Sequence, residues 1–363
     1  MEKIINFLAA HEVGFVFGIL LFFGTTEAIF GYLSNSKRSK DDVFIETVNA
    51  LFLFIITKPI VFILSFSLVK FLFPSQVGVW TTMPFWLGLI IFVLGDDFLQ
   101  YWYHRSSHEY KWLWKWHRAH HAATEMGFLV SYRESIYFYM LMPNIWWMGA
   151  FAYFYGGIPV TIGIILKQII VISSHSLVTW DSFFYKNKAF MPILKVLERI
   201  FITPAFHHSH HAVSKIDDIG NPNGNFGNMF SIWDQLFGSA KFTHAFPKEY
   251  GIPNDPKDSW AAHTFYPLVM SDKEGSEISK DYKFEKTTVN EPAVLTLQAG
   301  DYLYCQCGYS KNQPFCDGSH HGTKFQPLKF TIKKEREFRL CQCKTCAKGP
   351  FCDNAHLKIK QNK

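Results

Sequence analysis

Cysteine is missing from the first 304 residues of this chain, and all seven copies follow. A secreted scaffold stapled by disulfides is therefore excluded, and cysteines packed into one short segment point to a metal or cluster there. Charge is also scarce. Asp, Glu, Lys and Arg make up 18% of the chain, no more than Phe, Trp and Tyr together, which is too apolar a balance for an ordinary soluble domain. No basic run marks a nucleic-acid surface, and no glycine-rich dinucleotide fingerprint, flavin motif or HExxH motif is present. The small positive balance is uneven: from Ser271 onward 16 Lys and Arg face 11 Asp and Glu, about +5 of the net +6. That tail suits anionic headgroups or an ordinary solvated surface.

What is present is a set of long apolar runs. Residues 13–33 are apolar enough to cross the ~30 Å of bilayer hydrocarbon. They lack a strongly basic start and a small-residue cleavage site, so they read as a retained span rather than a signal peptide. Residues 34–42 form a polar, basic loop, and residues 49–73 a second span with a bend expected at Pro59. A third span runs from Phe85 to about Tyr103. Residues 136–155 and 158–174 read as an apolar hairpin closed by Gly156, Gly157 and Pro159. Lys167, near the middle of its second arm, suits a segment that dips rather than crosses. The expected total is four or five spans. The charge-free turns at 74–84 and 156–159 then fall on one side, and the basic loop on the other, which the positive-inside rule makes cytoplasmic.

Three histidine groups sit on that cytoplasmic side. His104 and His108 are four residues apart, so on a helix their rings share a face. His117, His120 and His121 follow after a short aromatic stretch, and His207, His210 and His211 lie about 90 residues downstream. Neutral imidazoles at this spacing converge on metal ions, and eight donors exceed the needs of one ion, so two ions are implied. His175, at the end of the last apolar run, is a candidate ninth ligand; His208 reads as a neighbour, and His11, His244 and His263 as structural. Asp97 precedes His104 by seven residues, on the same helix face, and is expected to orient His104 or His108 from behind.

The segments DDFLQYWYHRSSH, WKWHRAHH, TPAFHHSHH and NFGNMFSIWDQLFGS resemble the fatty acid hydroxylase/sterol desaturase superfamily over roughly residues 85–240. The resemblance implies a membrane di-iron oxygenase that uses O2 to hydroxylate or desaturate a lipid C–H bond, the lipid being fatty acyl, alkyl-glycerol or sterol-like. Such a protein would sit in a bacterial inner membrane or, in a eukaryote, in the endoplasmic reticulum.

The cysteines form a repeat. Cys305-x-Cys307, eight residues, Cys316 and then His320 recur 36 positions later as Cys341, Cys343, Cys352 and His356, with identical internal spacing and Cys346 left over as a free thiol. Thiolates suit zinc or iron–sulfur clusters. PFCDGSH and PFCDNAH resemble the CDGSH iron–sulfur family, which implies two [2Fe–2S] clusters, although Asn354 and Ala355 replace Gly and Ser in the second copy.

The expected architecture is therefore an all-α membrane domain with a helical, histidine-rich cytosolic cap (residues 1–265), a linker (266–292), and a small β-rich module (293–363). The expected function is an O2-dependent lipid oxygenase whose electrons are relayed by the fused clusters from a separate NAD(P)H-dependent reductase. The alternatives are an iron or redox sensor with an idle metal site, and a zinc-dependent membrane hydrolase. One protonatable histidine per cluster should make the module acid-labile: visible absorbance should bleach below about pH 6, as a spectrophotometric titration would record.

Overall fold

The computed structural model describes residues 12–30, 32, 38–213, 218–252, 255–273, 276, 289, 291–318, 320, 325–347 and 349–357. His11, most of the basic loop and most of the linker lie outside these.

Three helices among the described residues are long and apolar enough to cross a membrane: Lys40–Leu72 (α2), Phe85–Glu109 (α3) and Gly157–His175 (α7). A shorter apolar helix, Glu12–Ile29 (α1), precedes them. The expected span at 136–155 is not one helix: it divides into Ile136–Leu141 (α5) and Pro143–Phe154 (α6). Pro143 has no N–H to continue the α5 ladder, and it starts the new helix instead. Gly157–His175, by contrast, is unbroken, because Lys167 is not left alone in the apolar layer. Its ammonium meets the carboxylate of Asp96 and the amide oxygen of Gln100, and Asn144 donates to the same Asp96 at 3.2 Å.

At about 1.5 Å per residue the 33 residues of α2 extend roughly 50 Å, well beyond the ~30 Å of hydrocarbon. The expected bend at Pro59 is replaced by a π-helical stretch, Phe52–Thr57. The wider turn accommodates the missing proline donor without breaking the rod. Close helix contacts depend on glycines. A Cβ on Gly149 of α6 would lie 2.6 Å from the Phe62 carbonyl oxygen of α2, and one on Gly163 of α7 would lie 2.6 Å from the Phe92 ring of α3. Outward-facing Phe17, Leu21, Ile55, Ile63, Phe71 and Trp86 are exposed, an apolar surface suited to lipid rather than water.

α3 stops at Tyr110, whose backbone is extended, and the chain turns directly into Lys111–His121 (α4). Beyond α7 follow Ser182–Lys186 (α8), Met191–Ile200 (α9), Pro204–His210 (α10), Ile232–Leu236 (α11) and Trp260–Phe265 (α12). These short helices close over the ends of α2, α3 and α7. Buried ion pairs hold the cap down. Arg118 of α4 binds Asp255 at 2.5 Å and Asp258 at 2.6 Å, while Arg133 binds Asp42 of α2 at 2.7 Å and Arg38 binds Glu46 of α2 at 3.2 Å.

The expected β-rich module has four strands among the described residues: Ala293–Leu297 (β1), Gly300–Tyr304 (β2), Leu328–Ile332 (β3) and Arg336–Leu340 (β4). β1 pairs antiparallel with β4, and β2 with β3, so the strands of the two repeats are interleaved around Leu297, Tyr304, Phe330, Ile332, Phe338 and Leu340. Each repeat enters its cysteine motif alike. Cys305 N donates to Pro314 O and Cys341 N to Pro350 O, at 2.9 and 2.8 Å. A chain ending at residue 327 would retain the first motif but lose both partner strands. It should bind no cluster, seen as absent visible absorbance.

Candidate metal centre

Nine histidines converge from four helix ends. His104 and His108 lie on α3, His117, His120 and His121 on α4, His175 at the end of α7, and His207, His210 and His211 on α10 and its C-cap. The α10 turn is started by Thr203, whose hydroxyl accepts from Phe206 N, and by Pro204. The rings divide into two buried groups: His104, His108, His117, His121 and His210 in one, and His120, His175, His207 and His211 in the other. Within each group the candidate ligand nitrogens all lie within 4.8 Å of one another. The groups share a wall, where the His121 and His211 rings stack with centroids 4.7 Å apart.

Five of the rings are held from behind at Nδ1. His104 meets the Phe226 carbonyl at 2.8 Å, His117 the Glu134 carboxylate at 2.7 Å, and His120 the Val130 carbonyl at 3.0 Å. His175 meets the Val171 carbonyl at 2.7 Å and His210 the Gly224 carbonyl at 2.8 Å. A carbonyl can only accept, so the four rings that face one carry their proton on Nδ1 and turn the Nε2 lone pair inward. Burial holds the pKa values of His117, His120, His121, His207 and His211 well below the ordinary histidine value, leaving neutral donors. The His117–Glu134 contact is accordingly a hydrogen bond between a neutral ring and a carboxyl whose pKa burial pushes well up.

The inward nitrogens crowd each other. Nε2 of His104 and His210 are 3.0 Å apart, those of His175 and His207 2.8 Å, and those of His207 and His211 3.1 Å. Among the described residues, the buried Nε2 atoms of His117 and His121 have no hydrogen-bond partner. His104 and His210 both turn Nδ1 to a carbonyl, so between them two Nε2 lone pairs meet and repel unless a cation lies there. Nitrogens about 2.1 Å from one ion would sit about 3 Å apart at adjacent corners. The donor set therefore fits two metal ions.

Other predicted residues lie elsewhere. Asp97 does not reach His104 or His108. Its carboxylate accepts from Met229 N at 2.8 Å, Phe230 N at 3.0 Å and Trp233 Nε1 at 3.0 Å. The seven-residue spacing put Asp97 on the right helix, but the nearby backbone donors of the 226–230 loop claim it. It steadies the loop whose Phe226 carbonyl holds His104, one contact further out than expected. His208 turns away to Tyr250, at 3.0 Å, and His244 pairs with Glu198 at 2.8 Å. Glu134, the carbonyls of Gly224 and Phe226, and Asp234, which accepts from Phe226 N and Gly227 N, escaped the sequence reading. Only the acid in WDQLF was a visible signal.

Five of the nine histidines, His104, His117, His120, His175 and His207, open on one cavity of about 110 Å³ that Asp96, Gln100, Asn144 and Lys167 also line. A second cavity of about 590 Å³, lined almost wholly by apolar side chains of α1, α2 and α7, shares Phe54, Lys58, Met148 and Ile164 with the first.

In the module, Cys305 and Cys307 Sγ are 3.6 Å apart, and Cys316 Sγ lies 3.1 Å from His320 Nδ1. The second set repeats this at 3.5 Å (Cys341–Cys343) and 3.4 Å (Cys352–His356). Backbone N–H groups of Gly308, Tyr309, Gly318 and Asn354 donate to Cys305, Cys307, Cys316 and Cys352 respectively, as suits thiolates. Asn354 stands where Gly318 stands in the first copy, and both have positive φ, 66° and 90°. Asn tolerates that region, so the departure from the signature leaves the loop intact. Cys346 is not isolated: its sulfur groups with those of Cys341 and Cys343.

Comparison with known proteins finds relatives of both parts. Residues 89–239 match the family model described as Fatty acid hydroxylase, and residues 266–321 that described as Iron-binding zinc finger CDGSH type. The chain is similar to alkylglycerol monooxygenase of Xenopus tropicalis and of Homo sapiens, each 27% identical over 149 residues, 40% of this chain and 29% of the relative. It is also similar to the mitochondrial CDGSH iron-sulfur domain-containing protein 3 of Mus musculus, 54% identical over 46 residues, 12% of this chain and 34% of that one. The crystal structure of human mitochondrial inner NEET protein (MiNT)/CISD3 aligns at 36% identity with a TM-score of 0.20, covering 21% of this chain and 85% of that one. The chain thus spans about a third or less of the length of these curated relatives.

Two substitutions test the centre. Glu134→Ala should weaken metal binding roughly 10- to 100-fold by releasing His117, measured by competition with a chelator. Arg118→Leu strands the buried Asp255 and Asp258 and should cost about 3–5 kcal/mol, read from denaturant unfolding in detergent.

Proposed function

We propose that this chain, which carries a fatty acid hydroxylase domain and a CDGSH-type module, is an O2-dependent membrane oxygenase that hydroxylates or desaturates a C–H bond of a lipid. The observation that carries this reading is that both histidine groups face one small cavity that shares Phe54, Lys58, Met148 and Ile164 with a larger apolar one. A lipid chain of fatty acyl, alkyl-glycerol or sterol-like type would lie in the apolar cavity and bring its reacting carbon past Phe54, Met148 and Ile164 to the histidines.

The residues divide the work. Nine histidines would hold two iron ions, whose chemistry is to reduce O2 at the expense of the bound C–H bond. The Nδ1 acceptors (Phe226, Glu134, Val130, Val171 and Gly224) keep the rings aimed inward. Apolar side chains around the second cavity exclude water from the path, and the Lys167–Asp96 pair places two neutralising charges in the inner cavity wall, near the polar end of an amphiphile. Cys305, Cys307, Cys316 and His320, with Cys341, Cys343, Cys352 and His356, would hold two [2Fe–2S] clusters. Hydroxylation inserts one oxygen atom of O2 and releases the other as water, which takes two electrons and two protons. The module supplies those electrons one at a time from a separate NAD(P)H-dependent reductase. The histidine end of the spans, next to Arg38 and Lys40, is the cytoplasmic one.

The test is oxygen consumption coupled to a modified lipid. Purified protein in lipid nanodiscs, given reductant, should consume O2 and yield a product heavier by one oxygen or lighter by two hydrogens in lipid mass spectrometry. Oxygen uptake with no altered lipid, or a fully loaded protein inert toward O2, would sink the proposal.

A further inference from the structure

The module touches the histidine domain, and the touching residues are not spread evenly over it. Asn223 Nδ2 donates to Gln326 Oε1 at 3.2 Å, and the Lys111 ammonium lies 5.5 Å from the centre of the Tyr309 ring. One module residue lies within the first cysteine motif and the other just beyond it: Tyr309 N donates to Cys307 Sγ at 3.4 Å, and Gln326 follows His320 by six positions. Both partners on the other side belong to segments that carry or orient ligands of the five-histidine group. Lys111 opens α4, which holds His117 and His121. Asn223 adjoins Gly224, whose carbonyl holds His210, and the same loop supplies the Phe226 carbonyl to His104. Among the described residues, no hydrogen bond, ring contact or ion pair joins residues 336–357 to the histidine domain.

We infer that the module docks through its first cysteine motif on the Asn223–Lys111 face, so that electrons enter the five-histidine group from the first cluster across the 221–226 loop. The second cluster is then the outer one, open to the reductase. This rests on the reading that the module feeds the histidine site. Each transfer oxidises one reduced cluster by one electron and reduces one ferric ion to ferrous, with no bond made or broken. The electrons originate in a reduced nicotinamide and pass through a flavin-dependent reductase.

The test follows electron arrival rather than product. Full-length, metal-loaded protein is mixed anaerobically with a photoreduced flavin. Cluster reduction is followed by visible absorbance, and the valence of the histidine-bound iron by freeze-quench Mössbauer spectroscopy. The Lys111→Ala, Gln326→Ala double variant should keep its cluster reduction rate while the histidine-bound iron is reduced about tenfold more slowly, the size expected for one cation–π contact and one hydrogen bond. Amides 221–226 should also lose hydrogen-exchange protection in it. Cys316→Ser should abolish the transfer. A double variant that transfers as fast as the parent, with Cys316→Ser still blocked, would overturn this docking and leave the relay standing. Parent protein whose clusters are reduced while the histidine-bound iron stays ferric would overturn both.

Discussion

The Nε2 lone pairs of His104 and His210, aimed at one another across 3.0 Å, hold a place in this fold that positive charge stabilises. The buried polar groups around them serve that arrangement. Each anchored imidazole is tied through Nδ1 to a carbonyl or to Glu134, so that Nε2 cannot turn away. The elements that supply the rings come from widely separated parts of the sequence. Their helix ends must therefore meet to within a few tenths of an ångström, which explains the tight glycine contacts at Gly149 and Gly163 deeper in the bundle. The bundle positions the centre, and the centre in turn ties its helix ends together.

The charged cap belongs to the same constraint. Arg118 sits between His117 and His120, fully buried, and is neutralised by Asp255 and Asp258 from a segment about 140 residues away. Arg133, beside Glu134, is neutralised by Asp42 and Glu46 on the overhanging end of α2. Two arginines adjacent in sequence to metal-centre residues thus fasten the outer segments over it. Burying such pairs contributes little net stability. What it does is specify one arrangement of the cap, since any other leaves a charge unpaired.

The module solves its problem by symmetry. Two copies of one motif exchange strands, so that each cysteine loop hangs from a sheet half of which belongs to the other copy. Left-handed backbone at Gly308 and Gly318 recurs at Lys344 and Asn354, so the second copy keeps the loop shape after losing both glycines. Among the described residues the first motif lies against the histidine domain and the second makes no hydrogen bond, ring contact or ion pair with it, so the two copies have unlike neighbours.

Sequence alone was enough to single out eight of the nine converging histidines, because helical spacing places i, i+3 and i+4 rings on one face whatever the surroundings, and His175 was a candidate only by its place at the end of an apolar run. The cysteine repeat was legible for a similar reason: its internal spacing is the geometry of the loop. Tertiary structure decided what depends on distant partners. The division of nine rings into five and four separates His120 from His121, neighbours in sequence, because adjacent residues on a helix point about 100° apart. Asp97 shares a helix with His104, but it was lost to the backbone donors of a loop some 130 residues later. Glu134 became the support for His117 only because the chain returns across α4. Backbone carbonyls such as those of Gly224 and Phe226 carry no residue-specific signal at all. Pattern reports which side chains share an element, and only packing determines which groups from other elements meet them.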